Sequence, residues 1–298
     1  MKAYRTICAV LLIVLAAGAA FGEPVTLEYK FKVGDIDKYK MTMDMSVQMP
    51  GMPAKEGVSP MSMSMTMTCT QQTLAVNPDG SAKIKATNGK PTITGGPASA
   101  KGAKMPDLAG QSITFTMTKR GQTLSIEGLD NLLAGSPLKN MDLSSFFSPA
   151  SNQALLPEGP VEVGQSWNQS VPFPFGGGAI GVNSELESAD QQVWGLNAAK
   201  IKQRLAGSLD IGQFMKSLMA AVGTGGKQAV DLASMSGSLD LNGDMSFLFA
   251  PSIGKLLKGD GTIQAKMMMN MPSDAVRQGA PASIQVNLSM RINITRFK

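Results

Sequence analysis

The chain is predicted to be mainly β (β-rich α+β), a curled antiparallel sheet or open barrel of about a dozen strands with a few short helices. Two alternating runs carry the prediction. In 41–49 and again in 61–69 every odd position is Met, Val or Cys and every even position is Ser, Thr, Asp or Gln. Such period-two alternation puts the apolar side chains on one face of a half-buried strand. Near the C-terminus Ile284, Val286, Leu288, Met290, Ile292 and Ile294 repeat the pattern. A third observation is the shortness of the turns between strands, which favours antiparallel neighbours, because parallel pairing needs a long crossover.

Residues 1–22 stand apart. Met1 to Arg5 is short and basic, Ile7 to Leu15 is apolar throughout, and Ala20-Phe21-Gly22 ends on small residues. This reads as a secretory signal peptide, so the expected product is exported, periplasmic or extracellular. No later run reaches the ~18 apolar residues of a spanning helix, so no integral membrane segment is expected in the mature chain. Cys8 leaves with that leader. Cys69 is then the lone thiol, and an intrachain disulfide is not expected. Roughly 276 residues remain, enough to bury a large core in one or two domains. With aromatics at 5%, the 22 methionines and the aliphatic residues must supply most of the buried area. The formal charge of +5 includes Lys2 and Arg5. The other basic residues are scattered singly, as solvent-facing strand residues, which argues against a nucleic-acid partner.

Taken in order, Leu27, Tyr29, Phe31 and Val33 alternate with charged residues and read as a first strand, turned by Gly34-Asp35 into the Met41 run. A Pro/Gly loop at 50–60 leads to the second Met run, followed by Leu74-Ala75-Val76. Asn77-Pro78-Asp79-Gly80 is a strong turn signal before Lys83-Ile84-Lys85. Residues 88–111 read as a long connection. Ile113, Phe115 and Met117, then Leu124 and Ile126 across Lys119-Arg120-Gly121-Gln122, make the clearest short hairpin. From 129 to 147 the apolar spacing lengthens and suggests short helices broken near Gly135 and Pro137. Another amphipathic helix is expected over 211–222, stopped by Gly223. Strands follow through Leu239 to Phe249 and Ile263 to Met271, and the clean 284–294 strand is expected inside the sheet.

The second half echoes the first. Val163-Gly164-Gln165 matches Val33-Gly34-Asp35, Lys200-Ile201-Lys202 matches Lys83-Ile84-Lys85, and Gly254-Lys255-Leu256-Leu257 matches Gly121-Gln122-Thr123-Leu124, all in the same order. Beside a coincidence of hairpin sequences, this suggests an internal duplication, with an N-terminal β-rich half at 23–150 and a C-terminal half at 151–298 in one or two domains.

Tyr29-Lys30-Phe31-Lys32-Val33-Gly34-Asp35 just after the leader, the central run from Leu156 to Trp167, and Phe249 to Leu257 together resemble a family of uncharacterised exported bacterial proteins. The resemblance implies a β-rich exported protein and brings no catalytic residues with it.

Three readings compete for the methionines. They are core; or Met41, Met43, Met45, Met63, Met65 and Met67, with Trp167 at the mouth, line a concave face for a lipid or other apolar molecule; or Met61, Met63, Met65, Met67 and Cys69 bind copper(I) through soft sulfur. Residues i and i+2 on one strand lie ~7 Å apart, so the copper reading needs cross-strand pairs. A structural or interaction module of the cell envelope is a further alternative. Enzyme readings fare worse, and no cofactor is expected. The sequence has no histidine, which removes Ser-His and Cys-His pairs. Ser136-x-x-Lys139 and Ser252-x-x-Lys255 match a Ser-Lys pattern beside a proline in an apparent turn, and Gly225-Gly226-Lys227-Gln228 lacks key residues of a phosphate loop.

Overall fold

The computed structural model describes residues 23–50, 61–95, 109–128, 156–172, 178–213, 236–270 and 281–297. The expected leader, the helices expected over 129–147, all but residues 211–213 of the helix expected over 211–222, Ser136, Lys139 and residues 225–228 lie outside them.

Among the described residues twelve strands form: β1 (Ile36–Gln48), β2 (Met61–Val76), β3 (Ala82–Asn88), β4 (Thr92–Gly95), β5 (Ser112–Met117), β6 (Thr123–Glu127), β7 (Ser166–Pro172), β8 (Gly178–Val193), β9 (Leu196–Asp210), β10 (Ser236–Ala250), β11 (Lys255–Asn270) and β12 (Ser283–Phe297). They make one sheet in the order β6-β5-β3-β2-β1-β12-β11-β10-β9-β8-β7, with β4 also paired to β2. Every pairing is antiparallel. The ends of this order, β6 and β7, do not pair, so the sheet is open. The C-terminal strand lies inside it and joins the two halves, with β1 on one side and β11 on the other.

Three elements differ from the sequence reading. The run from Leu27 to Val33 is no ladder strand. Val25 makes a single bridge to Val161, and the chain then crosses one end of the sheet. Tyr29 N–H donates to Lys119 O at 2.7 Å, and Lys30 N–H to Gly254 O at 3.2 Å. Alternation here records an extended backbone over a packed surface: Leu27 is 1% exposed and Val33 60%. Second, β2 does not stop near Thr70 but continues through a bulge to Val76. Third, the 88–111 connection contains β4, whose Ile93 faces Met65.

The same turn occurs twice. Gly34 (φ 87°) and Gly164 (φ 85°) occupy the left-handed region that favours glycine. Asp35 N–H donates to Lys32 O at 3.0 Å and Gly34 N–H to Thr73 O at 2.9 Å; Gln165 N–H donates to Glu162 O at 3.0 Å and Gly164 N–H to Leu186 O at 2.8 Å. Thr73 and Leu186 each answer with their own N–H, to Asp35 O and Gln165 O, and each begins a bulge.

The closely packed core sits at this end of the sheet. Leu27, Leu156, Val161, Leu186, Ile201 and Phe249 are its buried centre, with Tyr29 and Trp167 against it. The Tyr29 ring meets Phe249 edge-on at 5.3 Å.

Candidate functional site

Register assembles the site. Across β1 and β2, Met41 faces Met67, Met43 faces Met65, Met45 faces Met63 and Val47 faces Met61. On the other side of β1 the same residues face Ile294, Ile292, Met290 and Leu288 of β12. Directly opposed residues share a face with Cβ atoms ~4.5–5.5 Å apart, so these pairs extend into rows across the sheet. Beyond Met290 the row passes through Ile263, Gly243 and Leu205 to Val182. Beyond Ile292 the next row passes through Gly261, Met245, Gln203 and Ser184 to Trp167. The six candidate methionines are therefore adjacent, while Trp167 lies in the same row as Met43 and Met65 but far across the sheet, at the packed core.

Gln203 and Ser184 are the polar residues in these two rows, apart from Gln169, which continues the first onto β7. Both are buried, and Gln203 Nε2 donates to Ser184 Oγ at 3.0 Å. Glycine keeps the middle of the face low. A Cβ at Gly259 would meet the Phe247 ring at 2.8 Å and one at Gly261 would meet Met245 Cγ at 2.8 Å, so the larger side chains lie over the glycines. From Met61 to Met67 the face measures ~20 Å along the strands and ~29 Å across β2 to β8. Its β2, β1 and β12 portion is part-exposed, whereas Val182, Ser184, Leu186, Ile201 and Gln203 at the β8/β9 end are buried. The methionines on β1 and β2 are part-exposed, unlike the buried core. The opposite face is polar: Asp44, Arg291, Thr262, Asp244 and Arg204 form one exposed row of mostly alternating charge.

The Met61 to Cys69 series runs along β2 alone and extends ~27 Å. Those five donors cannot surround one ion; only rows across strands bring thioethers together. Cys69 is a free thiol facing Tyr39, and burial pushes its pKa up.

At the core end the face closes on an ion cluster that single-residue reading missed. Lys255 and Arg296 are not the solvent-facing residues expected of scattered cations. Lys255 Nζ donates to Asp37 Oδ2 at 2.6 Å, and Arg296 grips Oδ1 through Nη2 at 2.7 Å and Nε at 2.9 Å. Asp35 lies 3.6 Å from Lys255 Nζ, whose charge stands 6.0 Å over the Phe31 ring. Asp37 and Lys255 are 8% and 7% exposed. The Lys255 ammonium is thus held in ion pairs, which leaves the Ser252-x-x-Lys255 match without a free amine. Burial and the Asp37 charge raise the Tyr39 pKa far above its usual value, and burial pushes Tyr29 to about 12. Trp194 sits at the β8/β9 turn, 55% exposed, beneath Lys258 Nζ at 5.3 Å.

No family model matches the chain, and no curated protein matches it. Among solved structures, one of lipovitellin, described by its lipid–protein interactions, aligns at a TM-score of 0.42 and 10% identity; the alignment covers 88% of this chain and spans 25% of the lipovitellin chain. DynF from the dynemicin pathway of Micromonospora chersina aligns at 0.21 and 8%, covering 91% of this chain and 85% of its own. The OmpF porin of Salmonella typhi, in complex with daunomycin, aligns at 0.25 and 7%, covering 91% of this chain and 100% of its own. Likenesses this distant do not bear on function. Among the described residues no helix is long and apolar enough to cross a membrane, which says nothing of crossing by strands.

Proposed function

We propose that the chain is an exported, non-catalytic binding protein whose methionine and aliphatic face holds an apolar, lipid-like guest. The observation that carries the reading is the single apolar face that register builds from β2 to β8, part-exposed where the methionines lie. A protein partner would be expected to use Trp, Tyr and Arg anchors. The Met43 and Met45 rows between β2 and β12 offer only Met and Ile, with no side chain to pair the polar groups of a peptide. Flexible thioether side chains repack around guests of varied shape. The ion cluster at the core end marks where the apolar face stops.

Titration with a fluorescent fatty acid that brightens in apolar surroundings tests this. Saturable binding is expected, lost in Met43→Asp and Met65→Asp and kept in Ser64→Asp, whose side chain lies on the opposite face. Absence of saturable binding to the folded wild type, or undiminished binding in both folded Met→Asp variants, contradicts the reading.

A further inference from the structure

We infer that the row Met63, Met45 and Met290 is a binding site for a soft monovalent cation, copper(I) or silver(I). The inference is independent of the apolar-guest reading and rests on one juxtaposition: Met45 on β1 is directly opposed by Met63 on β2 and by Met290 on β12. Three neutral thioethers thus stand side by side on one face. Of the rows on either side, Met65 and Met43 offer two sulfurs before Ile292, and Met61 offers one before Val47 and Leu288; Met67 and Met41, one row further, again offer two before Ile294.

Thioether sulfur selects copper(I) over the harder divalent ions. Among the described residues, no three His, Cys, Asp or Glu side chains converge as a divalent ion would require. Direct opposition holds adjacent Cβ atoms ~4.5–5.5 Å apart, and the unbranched methionine side chain has three rotatable bonds with which to turn its sulfur toward a common point. Val47, Met61 and Leu288 on one side and Met43, Met65 and Ile292 on the other are apolar neighbours that disfavour a hydrated ion. Because Met45, Met63 and Met290 are all part-exposed, an ion there keeps some solvation, which lowers the cost of placing a charge on an apolar face. Met290 lies far from the Met-x-Met runs in sequence, and only the β1/β12 register shows that it belongs with them.

The test is anaerobic titration of the protein with copper(I) against a competing chelator, repeated with silver(I), which has no accessible redox step. One equivalent should bind. Loss even of an outer-shell partner costs a metal site about 10–100-fold, so Met45→Leu, Met63→Leu and Met290→Leu should each weaken binding by at least tenfold. Met267→Leu and Met268→Leu, both on β11 and outside the row, should bind as the wild type does. Met-to-Leu exchange conserves volume and preserves the fold, which circular dichroism verifies for each variant. Failure of the wild type to take up either metal overturns the inference, and so does an equal loss in the two control variants.

Discussion

Asp37 is a buried carboxylate on which two cations converge. It accepts hydrogen bonds from both Lys255 and Arg296. Removing one partner of a buried pair leaves an uncompensated charge, at a cost of about 3–5 kcal/mol. Asp37→Ala should therefore lose about that much in chemical denaturation, and the triple variant Asp37→Leu/Lys255→Met/Arg296→Met, which removes both cations with their partner, should recover much of it. The tyrosines beside this cluster give a second test. Their folded-state pKa values are raised by burial, Tyr29 to about 12 and Tyr39 further. Above pH ~10 the unfolded chain releases phenolic protons that the folded chain keeps, so stability falls as pH rises from ~10 toward ~12. Ultraviolet titration of the native protein should show phenolate from neither residue at pH 10, and denaturation midpoints should drop steadily above it. None of this was legible in the sequence. A lone Lys or Asp on an alternating strand reads as solvent-facing, and Asp37 meets Lys255 only because β1, β12 and β11 are neighbours.

At the scale of elements, alternation located the two Met strands, the 112–127 hairpin and the C-terminal strand, because one buried face imposes period two on any ladder strand. It misled at Leu27 to Val33, where the same alternation belongs to a chain that crosses the sheet end and bonds to Val161, Lys119 and Gly254 in turn. Period two reports extended backbone with one face covered, and ladder membership needs a partner that sequence does not name. The paired glycine turns offer a sharper comparison. A Cβ at Gly34 or Gly164 would meet nothing within 4 Å, so alanine there adds backbone strain and little else. Both substitutions should cost about 1–2 kcal/mol, and they should match each other if the two turns are equivalent units of a repeat. Thermal or urea denaturation of the two variants measures this. A clear difference would indicate that the turns are alike in shape but unlike in context.

Across the whole molecule, the decisive feature is one apolar face that is closed to solvent at the core end and part-exposed at the methionine end. The packed core at one end satisfies the demands of folding, with Leu27, Leu186, Phe249 and their neighbours closed to solvent. The methionine field beyond it remains part-exposed, and a protein that needed only stability would gain more from branched aliphatics of fixed shape. The presence of an apolar face could be read from the sequence because each methionine run shows it locally. Its continuity from β2 to β8 could not, since that depends on the register of six strand pairings. The central claim is that this face holds an apolar guest. Native mass spectrometry of the protein, gently purified from cells that make it, tests the claim most directly. The protein should carry a bound mass of lipid-like chemistry that is absent from the Met43→Asp and Met65→Asp variants. A bare polypeptide mass, or a polypeptide partner in place of a small apolar molecule, would contradict it.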